Sequence, residues 1–116
     1  MLQIQADQYY TIQTPTRYER IPLHTIIYIH REGKNSLITH IDNQITKVRK
    51  SPARIHAELN SEDFIFVGRG DIVNIIYIMS LKNGILELKN GENIPINQSN
   101  LHEIKERLTE FWGNRI

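Results

Sequence analysis

The chain has 116 residues, a formal net charge of +1 at pH 7 and no cysteine. That length fits one domain able to bury its own core, and the missing thiols exclude a disulfide framework, a thiolate metal site and a cysteine nucleophile. The first ten residues, MLQIQADQYY, have neither a basic n-region nor an apolar core, and no apolar run is long enough to cross a bilayer. A soluble, cytoplasmic protein is expected.

In chain order, the apolar pattern is mostly that of strands. Residues 24–30, 36–41 and 44–48 are short, rich in Ile, Val and Tyr, and separated by turn residues such as Gly33-Lys34 and Asp42-Asn43. Ser51 followed by Pro52 reads as an N-cap with proline at N1, and Ile55 and Leu59 share a face, which predicts a short helix over 52–60. Strands follow at 64–67, 72–79, 85–88 and 93–96. Asn83-Gly84 and Asn90-Gly91 are hairpin signals, because both central positions of a type I′ turn need positive φ, so 77–96 should form a meander.

A closing helix begins at Ser99 or Asn100, with Glu103 three residues after Asn100 completing a capping box. Leu101, Ile104, Leu108, Phe111 and Trp112 line one face, to be buried against the domain's own core, and Gly113 ends the helix. Residues 113–116 are expected to fray. With no repeat, low-complexity tract or linker, one mainly β domain over 1–116 is expected.

The five histidines show no HxH, HxxxH or HExxH spacing, and GxSxG, P-loop and GxGxxG patterns are absent. Carboxylates pair only at Glu62-Asp63 and on helix surfaces, where they read as caps and solvated charges. No metal, cofactor or enzymatic activity is expected. Two features point elsewhere. Lys47, Arg49, Lys50 and Arg54 fall within eight residues that contain no acid, either as part of a basic face or as a solvated strand end and helix start. Arg69 stands between Gly68 and Gly70 and is followed by the apolar run from Ile72. Either it pairs with Asp71 and decorates a turn, or the bare loop presents its guanidinium fork to O6 and N7 of a guanine.

These pieces occur in an ordered series. Ile21-Pro22-Leu23 with Ile26-Ile27-Tyr28-Ile29 leads to Phe64, Phe66, Arg69 and Ile72-Val73-Asn74. Then come Ile85-Leu86-Glu87-Leu88, Gly91, Ile94-Pro95-Ile96 and the closing helix. The series resembles the LytTR-type DNA-binding domain over residues 21–112, and departs from it where Gly68, Gly70 and Asp71 replace the commoner His, Ser and aromatic or aliphatic residues. The resemblance implies an elongated sandwich of antiparallel sheets with one short helix and one C-terminal helix. It further implies sequence-specific DNA binding in bacterial transcription regulation, by loops entering the major groove.

On that resemblance Asn35, Arg69 and Asn97 are base contacts, and Lys34, Lys47, Arg49, Lys50 and Ser99 are backbone contacts. For Asn97, helix capping competes with bidentate pairing to adenine, while Ser99 and the helix start beside it are suited to a phosphate. The partner implied is double-stranded DNA carrying paired direct repeats, loaded by two copies of a chain that is monomeric in solution. Many relatives carry a phosphoreceiver domain, for which these residues leave no room, so the chain is either an excised output domain or a free-standing regulator, the latter controlled by abundance, a regulatory protein partner or oligomerisation. The competing class is an interaction module of the same fold that has lost specific DNA binding, motivated by the near-zero net charge and the altered loop.

Overall fold

Alternating buried and exposed side chains organise residues 8–113, the part of the chain that the computed structural model describes, into β-strands and two α-helices. The expected fraying at Asn114, Arg115 and Ile116 lies outside the described residues. Strands β1 (Tyr9–Thr14) and β2 (Arg17–Pro22) form an antiparallel hairpin. They are followed by β3 (Ile26–Glu32), β4 (Asn35–His40), β5 (Ile45–Val48), helix α1 (Pro52–Leu59), β6 (Phe64–Gly68) and β7 (Asp71–Asn74). Strands β8 (Ile78–Lys82), β9 (Ile85–Leu88) and β10 (Asn93–Pro95) then lead to helix α2 (Leu101–Trp112).

The middle layer is a five-stranded sheet in the order β5-β4-β3-β7-β6, antiparallel throughout. Successive side chains point to opposite faces, so the sheet borders two cores. One face presents Ile29, Ile38, Val48, Phe64 and Ile72 to the β1–β2 hairpin and to Ile55 and Leu59 of α1. The other presents Ile65, Val67 and Val73 to the three-stranded β8–β9–β10 sheet and to Ile104 and Leu108 of α2. Burying each of these aliphatic side chains contributes about 1.5–3 kcal/mol. The middle sheet is therefore held from both sides, as the expected sandwich requires.

Three local features differ from expectation. The β1–β2 hairpin was not foreseen, because its strands alternate few aliphatic residues with many polar ones; only Tyr10, Ile12 and Ile21 are buried. The expected strand over 72–79 is broken in two by Asn74. Its side chain is buried, donating to the carbonyl of Ile26 at 2.9 Å and accepting from the N–H of Ile76 at 3.3 Å, which initiates a 3-10 turn over Ile75–Tyr77. A similar turn over Leu23–Thr25 occupies the start of the strand expected from 24.

At α2, a 3-10 turn over Gln98–Asn100 runs directly into the helix, so Asn100 is already near-helical at φ −96°, ψ −9°, and makes no side-chain cap bond. The capping box does not form. Ser51, by contrast, caps α1 as expected, accepting from the N–H of Arg54. Phe111 and Trp112 remain 47% and 44% exposed, so the apolar face of α2 is only partly used on its own core.

The hairpins also divide. Asn83 and Gly84 both have positive φ, 51° and 73°, as a type I′ turn requires. At Asn90-Gly91 only Gly91 does. There the Leu88 carbonyl accepts from the N–H of Gly91 while the Leu88 N–H donates to the Glu92 carbonyl, giving a three-residue loop closed by a left-handed residue.

Candidate nucleic-acid interface

Strand direction decides which loops meet. In the five-stranded sheet, the ends of β3, β5 and β6 and the starts of β4 and β7 all lie at one edge, as the pairings Glu32 with Asn35, Ser36 with Val48, and Gly68 with Asp71 require. That edge carries the β3–β4 turn with Lys34 and Asn35, the β5–α1 connection with Arg49 and Lys50, and the β6–β7 turn with Arg69. Residues 34, 49 and 69 are separated in sequence but become neighbours in the order of the strands.

The β3–β4 turn is only two residues long. Gly33 takes φ +61° while Lys34 stays at negative φ, the pattern of a type II′ turn, which sets the Lys34 side chain at the tip. The β6–β7 turn is equally short. It follows a bulge at Val67, where the register shifts between Phe66 and Gly68. Val67 points into the second core, and its carbonyl accepts the backbone N–H of Asn97 at 3.0 Å. That bond fixes the start of the α2 connection beside the β6–β7 turn.

Arg69 and Asn97 are therefore carried on loops at the same edge, whereas Asn35, expected in the turn, is the half-buried first residue of β4, paired with Glu32. Arg69 and Asn97 are exposed, and Asn97 makes no side-chain cap bond. Together with Ser99, Arg69 and Asn97 also line an open groove of about 1010 Å³ whose floor includes Phe66, against which the His56 ring packs at 4.5 Å.

The Arg69–Asp71 pair does not form. Asp71 Oδ1 instead accepts from the Tyr28 hydroxyl at 2.7 Å and lies 2.6 Å from His30 Nδ1. Burial and the Asp71 carboxylate together push the Tyr28 phenol well above the usual tyrosine range. Arg69 has no hydrogen-bonded or ion-paired side-chain partner among the described residues. Glu32, beside the β3–β4 turn, sits 3.6 Å from Lys47 Nζ, and Glu62 and Glu103 line the groove with Arg69.

Lys50 is held differently from the other backbone-contact residues. Its Nζ lies 3.0 Å from both carboxylate oxygens of Glu58 and 6.0 Å from the Tyr10 ring centroid, and Tyr10 also donates to Glu58 at 2.8 Å. Burial alone would raise the Glu58 pKa, but the hydrogen bonds from Tyr10 and Lys50, with the charges of Lys50 and Arg54, outweigh it and hold the carboxyl below its usual range. The same burial and carboxylate push the Tyr10 phenol upward. Lys34 and Arg49 are exposed and have no ion-pair partner among the described residues.

One cation at this edge escaped the sequence reading. Arg31 is exposed and its backbone N–H donates to the Gly70 carbonyl at 2.9 Å. A methyl group added at Gly70 would stand 2.7 Å from Arg31 Cβ and 3.6 Å from its Cδ. Gly70 is thus small because the Arg31 stem lies across it. No sequence signal could have found Arg31, because the β3–β7 register is what brings 31 and 70 together.

No group of three or more His, Asp or Glu suited to a metal ion occurs among the described residues, and no helix among them is long and apolar enough to cross a membrane.

The sequence profile of the LytTr DNA-binding domain matches residues 16–109. Among solved structures, the LytTr DNA-binding domain of a response regulator from Bacillus cereus superposes with a TM-score of 0.72 at 20% identity, covering 89% of this chain and 98% of that one. No curated protein sequence matches the chain.

Proposed function

The chain belongs to the LytTr DNA-binding domain family, and from that premise we propose that it binds double-stranded DNA in a sequence-specific manner, as a bacterial transcription regulator or the output domain of one. The carrying observation is the loop edge of the five-stranded sheet, where Arg69, Arg49 and Lys34 stand exposed and without carboxylate partners among the described residues. Two acids at this edge are already engaged, Asp71 by Tyr28 and His30, and Glu32 by Lys47, while Glu62 and Glu103 share the groove with Arg69.

Arg69, Asn35 and Asn97 read base edges in the major groove, where a guanidinium or an amide makes paired bonds that distinguish one base pair from another. Lys34, Lys47, Arg49 and Ser99 position the loops on the phosphates, and Lys50 does so only if it leaves Glu58. Two copies of a monomeric chain occupy paired direct repeats, and a regulatory protein partner modulates the complex.

The alternative, an interaction module that has lost specific DNA binding, draws support from Ile41 and Ile45, 51% and 60% exposed at the opposite end of the sheet. The unpaired cations at the loop edge favour DNA. The test is selection from a random duplex library, followed by affinity measurements across salt. Each neutralised phosphate adds about −0.9 to the slope of log K against log salt. A selected motif with a steep slope supports the reading; no binding at low salt, or an affinity flat with salt, favours the interaction module.

A further inference from the structure

Arg31 has no role in the readout described above, yet its placement is built with care. One step beyond the last pair of the β3–β7 ladder, His30 with Asp71, it meets the second residue of the Arg69-bearing turn through the 2.9 Å bond from its N–H to the Gly70 carbonyl. Its aliphatic stem lies over Gly70, at distances that any side chain at 70 would violate. It faces the same side of the sheet as its cross-strand partner Ser36, whose hydroxyl donates to the Lys50 carbonyl at 2.7 Å beside the start of α1. The side chain therefore lies on the face of the sheet that carries α1, with its stem over Gly70, exposed and without an ion-pair partner among the described residues.

We propose that Arg31 is a phosphate-binding residue of the DNA interface, seated by Gly70 beside Arg69. This rests on the DNA-binding reading. Lys34 and Arg69 occupy the tips of their two-residue turns, whereas Arg31 sits in the β3–β4 ladder, in the second pair behind the Lys34 turn and level with Gly70 of the Arg69 turn. When tips enter a groove, a side chain set behind them meets the groove's wall, which is the sugar-phosphate backbone. A second unpaired guanidinium next to Arg69 is electrostatically unfavourable in the free protein, and a phosphate relieves it. Gly70 consequently serves Arg31 rather than opening the loop for DNA.

The test is a two-residue cycle of Arg31→Ala, Gly70→Ala and the double variant, with affinity measured for a selected duplex and a scrambled one across a salt series. Thermal melts of each variant establish that it is folded. Arg31→Ala should weaken both duplexes by a similar factor, about tenfold near 0.1 M salt, and reduce the salt slope by about 0.9. Arg31→Lys should recover most of both. Gly70→Ala, by displacing the stem, should reproduce the loss, and adding Arg31→Ala to it should change little. An Arg31→Ala variant that matches wild type while Arg69→Ala is impaired overturns this inference and leaves the functional reading intact. Wild-type protein that binds neither duplex at low salt overturns both.

Discussion

Arg31, Lys34 and Arg69 at the loop edge have no ion-pair partner among the described residues, whereas Lys50 and Arg54 of the 47–54 segment converge on Glu58, at 3.0 Å and 3.7 Å. In the sequence the second group is the more conspicuous, four cations within eight residues and no acid. In space Lys50 and Arg54 share one carboxylate, that of Glu58 in the last turn of α1, and Lys47 is paired with Glu32. The lesson is that a run of charge measures composition, while availability for a ligand depends on what the fold places beside each charge. Of that segment, only Arg49 resembles the loop-edge cations.

The sharpest way to break this comparison is Arg69→Ala. It should cost about 1–3 kcal/mol in affinity for the selected duplex, with less effect on a scrambled one, and Arg69→Lys should rescue only part because the fork geometry is lost. The melting temperature should hardly move, since Arg69 is exposed and has no side-chain partner among the described residues. Equal weakening of both duplexes would reduce Arg69 to a phosphate contact.

Next in size is the contrast between two adjacent residues. Arg49→Ala should lower affinity for all duplexes and flatten the salt slope by about 0.9, as loss of one phosphate contact requires. Lys50→Ala should leave the slope nearly unchanged and instead reduce stability by about 0.5 kcal/mol, because its charge is engaged with Glu58. If denaturant titration shows no loss for Lys50→Ala while its salt slope falls, Lys50 leaves Glu58 for DNA and the comparison fails at that residue.

The smallest expected effect comes from Glu58→Gln, which converts the second region into the first. Freed of the carboxylate, Lys50 and Arg54 should raise affinity for any duplex by a few-fold and steepen its salt dependence. The same variant reads out acid linkage. The folded-state pKa of Glu58 is depressed, so its stabilisation is fully present above the ordinary carboxylate value and is lost as pH falls through the folded value. The stability gap between wild type and Glu58→Gln should therefore hold at neutral pH and close below about pH 4. A gap that widens toward acid would contradict the network.

The middle sheet, both helices and the 83–84 turn were legible because each has a local cause: alternation, a Ser-Pro cap, a glycine at positive φ. What stayed hidden has non-local causes. The β1–β2 hairpin is defined by what it covers, since its two strands bury Tyr10, Ile12 and Ile21 against a face assembled elsewhere. The run from Ile72 read as one strand because periodicity cannot reveal that Asn74 reaches carbonyls of 23 and 26. At the site, Arg69 stood out by its flanking glycines, but the reason for one of those glycines is Arg31, thirty-nine positions away in the chain and opposite it in the sheet. Lys50 misled in the other direction: its neighbours in sequence are basic, and its neighbours in space are Glu58 and Tyr10.

Strand β3 pairs with the nearby β4 on one side and with the remote β7 on the other, Ile29 opposite Ile72 and His30 opposite Asp71. The hairpin with β4 closes a two-residue loop and can form early; the ladder with β7 must first close about forty residues of chain, and such loop closure slows folding. The assembled loop edge is therefore absent from any partly folded species that lacks the β3–β7 ladder. A nascent chain still emerging from the ribosome acquires it only after β7 is made, and a peptide carrying the Arg69 turn alone lacks the neighbouring strand that gives Arg69 its companions.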